Sequence, residues 1–156
     1  MSPSRRTGLR RHRGVATIEF AICAPVLLLL MLATAEIGRL LFQYNTLTKA
    51  VRDGVRYAVR EAAAGSTGTV AITPAIRDNT RNLVVTGTIT GVGPGVLPAF
   101  TIGNVTVSDA GNGFVSVSAT YTYVPMLGPS LPMFGLGDPV NTELPLTATV
   151  IMRALL

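Results

Sequence analysis

An apolar run near the N-terminus constrains this chain more than any other feature. Residues 15–35 carry a single charge, Glu19, and are otherwise interrupted mainly by Pro25 and Thr34. A helix rises 1.5 Å per residue, so about 20 apolar residues cross the roughly 30 Å hydrocarbon core of a bilayer. The run therefore predicts a transmembrane helix over about residues 15–36.

Basic residues are concentrated on the N-terminal side of this run. Five of the 13 Lys and Arg residues precede Gly14, whereas all 8 Asp and Glu residues follow it, so residues 15–156 carry 8 charges of each sign. Lys and Arg beside a spanning helix mark its cytoplasmic end. We expect residues 1–14 to be a basic cytoplasmic leader, disordered before the helix, and the chain after about residue 36 to lie outside. Because residues 15–156 have no net charge, they do not indicate a nucleic-acid partner.

The apolar pattern changes after Ala35 but does not end there. Apolar residues recur at steps of three and four, which is the period of one helix face, and basic residues follow the same spacing on another face. Gly65 and Ser66 supply a stop signal. We therefore predict an amphipathic stem to about residue 64. The apolar face comprises Ile37, Leu40, Leu41, Tyr44, Leu47, Val51, Val55, Ala58 and Ala62, and the basic face comprises Lys49, Arg52, Arg56 and Arg60.

Residues 65–156 predict a small α+β head. Thr73 and Pro74 are typical of a helix N-cap and first turn, so we expect a short helix over 74–82. Valine- and threonine-rich segments then predict an antiparallel sheet of about four strands, with Asn112-Gly113 as a hairpin turn and Pro145 favouring either an edge position or a bulge near the start of the last strand. The expected strands are 83–90, 104–109, 114–124 and 141–155, separated by loops over 91–98 and 125–141.

The sequence carries no pattern that favours catalysis. It contains no G-x-S-x-G, P-loop or H-E-x-x-H motif, and its one histidine, His12, lies in the leader. The single cysteine, Cys23, lies within the apolar run, where it is most simply a small packing residue. We therefore predict a non-enzymatic protein without a cofactor or a metal site.

Glu19 follows Gly14 by five residues, where the basic leader meets the apolar helix. This arrangement resembles the processing site of type IV-like prepilins, in which a membrane peptidase cleaves after the glycine. The resemblance implies that Val15 becomes the first residue and Glu19 the fifth. The new α-ammonium of a neighbouring subunit would then offset the cost of burying the Glu19 carboxylate.

The N-terminal third of the chain is similar to the TadE-like family, minor pseudopilins of tight-adherence (Tad) pilus systems. The matching residues are Arg13-Gly14, Glu19-Phe20-Ala21, Pro25, Glu36-Ile37-Gly38-Arg39, and Val51 to Ala58, which includes Arg52, Gly54, Arg56 and Tyr57. The resemblance implies a pilin-like fold and a minor pilin or assembly component of an adhesive Tad/Flp-type pilus. It also implies a bacterial inner-membrane location, and as partners the prepilin peptidase, other pilins and the assembly platform.

Two other interpretations share much of this anatomy. Ala33-Thr34-Ala35 has the form of a signal-peptidase site, which would release a secreted head starting at Glu36. Against cleavage there, Glu19 opens the apolar run and the apolar pattern continues through Leu40 and Leu41. Alternatively, the head is a binding or adhesion module that stays tethered to the membrane.

Overall fold

The computed structural model describes residues 12–64, 70–126, 128, 130–131, 140–141 and 143–154. A long helix precedes a short helix and an antiparallel sheet, so the predicted α+β fold with a pilin-like layout is confirmed. The helices are α1 (His12–Ala64) and α2 (Pro74–Thr86), and a single 3-10 turn covers Ile102–Asn104. The strands are β1 (Val105–Gly111), β2 (Phe114–Tyr123), β3 (Ser130–Leu131), β4 (Val140–Asn141) and β5 (Leu144–Arg153).

The helix α1 ends at Ala64, as its sequence predicted, and begins at His12, inside the leader that was expected to be disordered. The rest of that leader, residues 1–11, lies outside the described residues. The chain divides into two compact units, Met1–Gly38 and Arg39–Leu156, and α1 contributes to both.

The main sheet has the strand order β1-β2-β5, and both neighbouring pairs are antiparallel. Asn112 and Gly113 form the turn between β1 and β2 with φ values of 51° and 81°, which confirms the predicted hairpin. The strand β5 lies at an edge of the sheet, and its Pro145 is opposite Thr122. This strand order confirms the edge position of Pro145. An edge strand tolerates proline, which cannot donate a ladder hydrogen bond.

The core of the second unit lies between α1, α2 and one face of this sheet. The helix α1 supplies Leu47, Val51, Val55 and Ala58, which confirms the C-terminal half of the predicted apolar face. Period-2 alternation places Val115, Val117, Ala119, Tyr121 and Tyr123 on the inner face of β2. The other core residues are Val84, Val85, Leu97, Phe100, Val105, Val107, Leu146 and Ala148.

The prediction of a strand over residues 83–90 is wrong, because α2 continues through Thr86. Val84 and Val85 have β-forming side chains, but both are buried in the core from the helix. Gly87 then ends the helix in a left-handed conformation, with φ of 74°, and its N–H donates to the Leu83 carbonyl. Burial of the two valines thus outweighs their intrinsic preference for strands.

The predicted number of strands also needs correction. Without a strand at 83–90, the described part of the main sheet has three strands rather than about four. The short strands β3 and β4 form a separate antiparallel pair, and both lie in the segment 125–141 that was predicted to be a loop. Their two-residue length provides too little alternation for a strand to be recognised from sequence.

Gln43 is a polar residue in the buried side of α1, and its Oε1 atom has no hydrogen-bond partner among the described residues. An unsatisfied buried acceptor destabilises a fold by about 1–3 kcal/mol, whereas an apolar group of similar shape avoids this cost. We therefore expect Gln43→Met to increase the free energy of unfolding by about 1 kcal/mol.

Denaturant unfolding of the full chain in detergent would measure this change. Asn45→Met at an exposed position of the same helix is the control, with an expected effect within about 0.5 kcal/mol. A loss of stability in Gln43→Met alone would contradict the prediction and would indicate that water satisfies this amide in solution.

Candidate membrane and assembly helix

The N-terminal part of α1 is exposed along its apolar length. Within Gly14–Ala63, its most apolar 18-residue window has a mean hydropathy of 2.4, and none of that window is buried. Large side chains such as Phe20, Leu29 and Met31 are 65–71% exposed. Exposed apolar surface of this extent is typical of a membrane or protein interaction site, where a bilayer or neighbouring helices would bury it. By length and composition, this is the one described helix that could cross a membrane, although a signal sequence would have the same properties.

The residues of the predicted processing site lie together at the start of this helix. Gly14, Val15, Glu19 and Phe20 are all exposed, and a Cβ atom added at Gly14 would meet no other atom within 4 Å. Glu19 is four residues after Val15, which is about 6 Å along the helix axis. None of the ion pairs within the described residues involves Glu19. The carboxylate is therefore accessible to a second molecule from the first turns of the helix.

Pro25 lies inside α1, and the helix continues through it. Because proline has no N–H group, the carbonyl of Ala21 lacks its usual helical hydrogen bond at this point. Thr34, the other polar interruption, donates its hydroxyl to the Leu30 carbonyl at 2.8 Å. This bond satisfies the hydroxyl within its own helix, so Thr34 adds little to the cost of an apolar environment.

The signature residues that follow the apolar run occupy different environments. Gly38 is exposed, whereas Glu36 and Arg39 are partly buried. Further along α1, Arg52 and Arg56 are exposed, and Arg56 lies 3.9 Å from Asp53 in a solvated pair that contributes little to stability.

Two signature residues on the second unit's part of α1 have a clear packing role. A Cβ atom at Gly54 would overlap Cγ2 of Val84 and lie 3.5 Å from Cγ2 of Thr80, so Gly54 allows α2 to approach α1 closely. Tyr57 accepts a hydrogen bond of 3.1 Å from Nδ2 of Asn79 on α2. Gly54 and Tyr57 therefore position α2 against α1.

A cavity of about 250 Å³ lies within the second unit beside Arg39. The polar residues that line it are Arg39, Asn104, Tyr121 and Thr122, and the apolar ones are Pro98, Ala99 and Val124. The Tyr121 ring packs edge-on against Phe100, with 6.0 Å between the ring centroids. Burial raises the pKa of the Tyr121 phenol, and the nearby Arg39 charge opposes that effect, so the phenol is protonated at neutral pH.

Sequence reasoning identified Arg39 but not the cavity. Tyr121 and Asn104 are 82 and 65 residues away from Arg39 along the chain, and no local pattern connects them. The alternation of β2 correctly places Tyr121 on the inner face, but only the packing of the sheet against α1 brings its ring to Arg39. Among the described residues, no group of His, Cys, Asp and Glu could hold a metal ion.

A long helix with an exposed apolar part, followed by a small α+β unit, is a pilin-like layout. Residues 14–56 match a family model described as TadE-like protein. The predicted resemblance to the TadE-like family is thus confirmed over just over a quarter of the 156 residues. Comparison with curated proteins and with solved structures finds no significant match.

Proposed function

We propose that this protein is a non-enzymatic minor pilin or assembly component of a Tad/Flp-type pilus. The observation that carries the proposal is the TadE-like match, which coincides with the exposed apolar helix and its charged junction. In this function, residues 15–36 span the bacterial inner membrane, with the basic leader 1–14 in the cytoplasm. The stem to residue 64 and the head 65–156 then lie outside.

The exposed helix surface supports a role in assembly. Exposed apolar side chains extend from Val15 to Met31, and a fibre or a membrane complex would cover them with helices of other subunits. In lipid, such helices associate by close packing and by pairing polar groups. The partners that fit this chemistry are other pilins and minor pilins of the same system, together with the inner-membrane assembly platform.

Cleavage after Gly14 by a prepilin peptidase is part of the proposal. It would leave Val15 with an α-ammonium group one helical turn from Glu19, at the edge of the membrane. The Glu19 carboxylate of one subunit would then pair with the α-ammonium of its neighbour. A charge at membrane depth is costly, about 2.5–3.5 kcal/mol at the centre and less near the edge, and this pairing would offset the cost.

The identity of the N-terminal residue tests the proposal most directly. We expect mass spectrometry of the protein recovered from membranes to show Val15 as the first residue. A start at Glu36 would indicate signal-peptidase cleavage after Ala35, and it would refute both the anchor and the role of Glu19. An intact Met1 would exclude prepilin processing and would restrict the function to a permanently anchored assembly factor or adhesion module.

A further inference from the structure

We propose that the cavity beside Arg39 binds the phosphate of a membrane phospholipid. The proposal depends on the membrane-spanning placement of residues 15–36, and it does not depend on pilus assembly or on cleavage after Gly14. It assigns a ligand to the space between Arg39, Asn104 and Tyr121.

The polar side chains of the cavity offer donors rather than charged acceptors. Arg39 carries a guanidinium, and the two ion pairs within the described residues, Arg56–Asp53 and Arg81–Asp78, do not involve it. The Tyr121 hydroxyl has no hydrogen-bond partner in the described part of the chain. A guanidinium beside a phenol is suited to an anion whose oxygens only accept hydrogen bonds.

Asn104 contributes a third donor, because two hydrogen bonds to its Oδ1 atom fix the orientation of its side-chain amide. Its Oδ1 atom lies 3.2 Å from the Thr101 backbone nitrogen, and a backbone N–H can only donate. The Thr101 hydroxyl lies 2.7 Å from the same oxygen. The oxygen of the amide is thereby occupied, and the Nδ2 group remains available to donate to a ligand.

The apolar part of the cavity favours a lipid over a free ion. Pro98, Ala99 and Val124 line one part of it, and Val124 is 49% exposed. Two more exposed apolar residues lie at this end of the sheet. Leu144, which pairs with Tyr123 at the end of β2, is 47% exposed, and Met126, shortly after β2, is 72% exposed. A phosphate site with exposed apolar residues at the same end of the sheet matches the boundary between head groups and acyl chains.

The position of Arg39 in the chain agrees with this boundary. It is the first basic residue after the apolar run and follows Ala35 by four residues, or about 6 Å of helix rise. The head-group region on each side of a bilayer is about 5–7 Å thick, being half the difference between the full and the hydrocarbon thickness. When residues 15–36 span the membrane, the short connection alone therefore keeps Arg39 within reach of the outer-leaflet phosphates.

The test uses the full chain in nanodiscs that contain phosphatidylglycerol and a phosphate-free galactolipid. Native mass spectrometry then measures which lipid remains bound after the protein is released from the disc. We expect one phosphatidylglycerol per chain, at least tenfold less in Arg39→Gln, and several-fold less in Tyr121→Phe. The second variant keeps the aromatic ring in the core and removes only the hydroxyl, so it remains informative where Arg39→Gln perturbs the fold.

Arg52→Gln is the matched control, because Arg52 is an exposed arginine on the same helix and does not line the cavity. This variant should retain lipid as the wild type does. Equal retention of both lipids, or unchanged retention in the Arg39 and Tyr121 variants, would overturn the proposal. Glycerol 3-phosphate or N-acetyl-aspartate binding to the released protein as tightly as the lipid would also overturn it, indicating a free phosphate or a partner's carboxylate. An intact N-terminus with lipid bound would refute prepilin processing and leave the lipid site standing.

Discussion

Glu19→Ala is expected to leave the protein in the membrane and to reduce pilus formation at least tenfold. Removing a charge from the apolar run makes insertion easier, since a carboxylate at membrane depth is costly. If Glu19 pairs with the α-ammonium of a neighbouring subunit as proposed, the same substitution would leave that ammonium unpaired, and an unpaired charge in an apolar environment is strongly destabilising. Pili sheared from cells and the protein in washed membranes would be quantified in the same cultures.

Two further variants separate charge from other effects of this substitution. Glu19→Gln keeps the size of the side chain and should reduce pilus formation as Glu19→Ala does, because the charge is what the pairing requires. Glu61→Ala removes an exposed carboxylate from the same helix outside the apolar run and should have no effect. Normal pilus formation in Glu19→Ala would refute the assembly role, and loss of the protein from membranes would indicate a role in insertion instead.

Gly54→Ala should destabilise the second unit by about 1–2 kcal/mol, although alanine is the better helix former. The intrinsic preference for alanine contributes about 1 kcal/mol in its favour. Against this, the new methyl group would overlap Val84 Cγ2, and both residues are buried where helix α2 packs on α1. Overpacking of a core typically costs about 1–3 kcal/mol, and the overlap with a buried β-branched side chain places this substitution in the upper part of that range, at about 2–3 kcal/mol, so that α2 is displaced. Hydrogen exchange at the amides of α2, in the full chain in detergent, would measure the loss.

A double-mutant cycle tests whether the contact with Val84 is the cause. Val84→Ala alone should destabilise the fold by leaving a cavity, but in combination with Gly54→Ala it makes room for the new methyl group. We expect a favourable coupling of about 1–2 kcal/mol between the two substitutions. Gly38→Ala, with no atom within 4 Å of the added Cβ, is the control and should not destabilise α2. Additive effects in the cycle would show that Gly54 acts through something other than Val84.

The contrast between Gly54 and Gly38 illustrates what local sequence cannot distinguish. Both are single glycines in a helical pattern, and both carry the same intrinsic cost of about 1 kcal/mol relative to alanine. In the structure, one is open to its surroundings and the other is the point where α2 approaches α1. The difference arises from a segment about 30 residues later in the chain, so no window around Gly54 contains it.

The extent of α2 has a similar explanation. Thr73 and Pro74 predicted its start correctly, because capping and proline geometry are local, and the Thr73 hydroxyl accepts a bond from the Ile76 N–H at 3.3 Å. Its end was predicted four residues too early, because Val84 and Val85 favour strands on intrinsic preference alone. Burial against α1 and the sheet decides their conformation, and burial is a property of the whole fold.

The sequence by itself determined the features that depend on composition and short-range spacing. These are the apolar length of the N-terminal part of α1, the end of α1 near residue 64, the Asn112-Gly113 hairpin, and the TadE-like pattern over residues 14–56. Each is encoded within a few turns of helix or one strand pair, where periodicity and turn chemistry decide the outcome.

Only the tertiary structure decided what these elements do to one another. It packed Gly54 against Val84, continued α2 to Thr86 beyond the predicted residue 82, and brought Arg39, Asn104 and Tyr121 together around one cavity. Arg39 comes from a helix, Asn104 from a 3-10 turn and Tyr121 from a strand, and their side chains meet because the sheet packs across α1. Such contacts join distant parts of the chain through burial and shape, which residue type and local spacing do not encode.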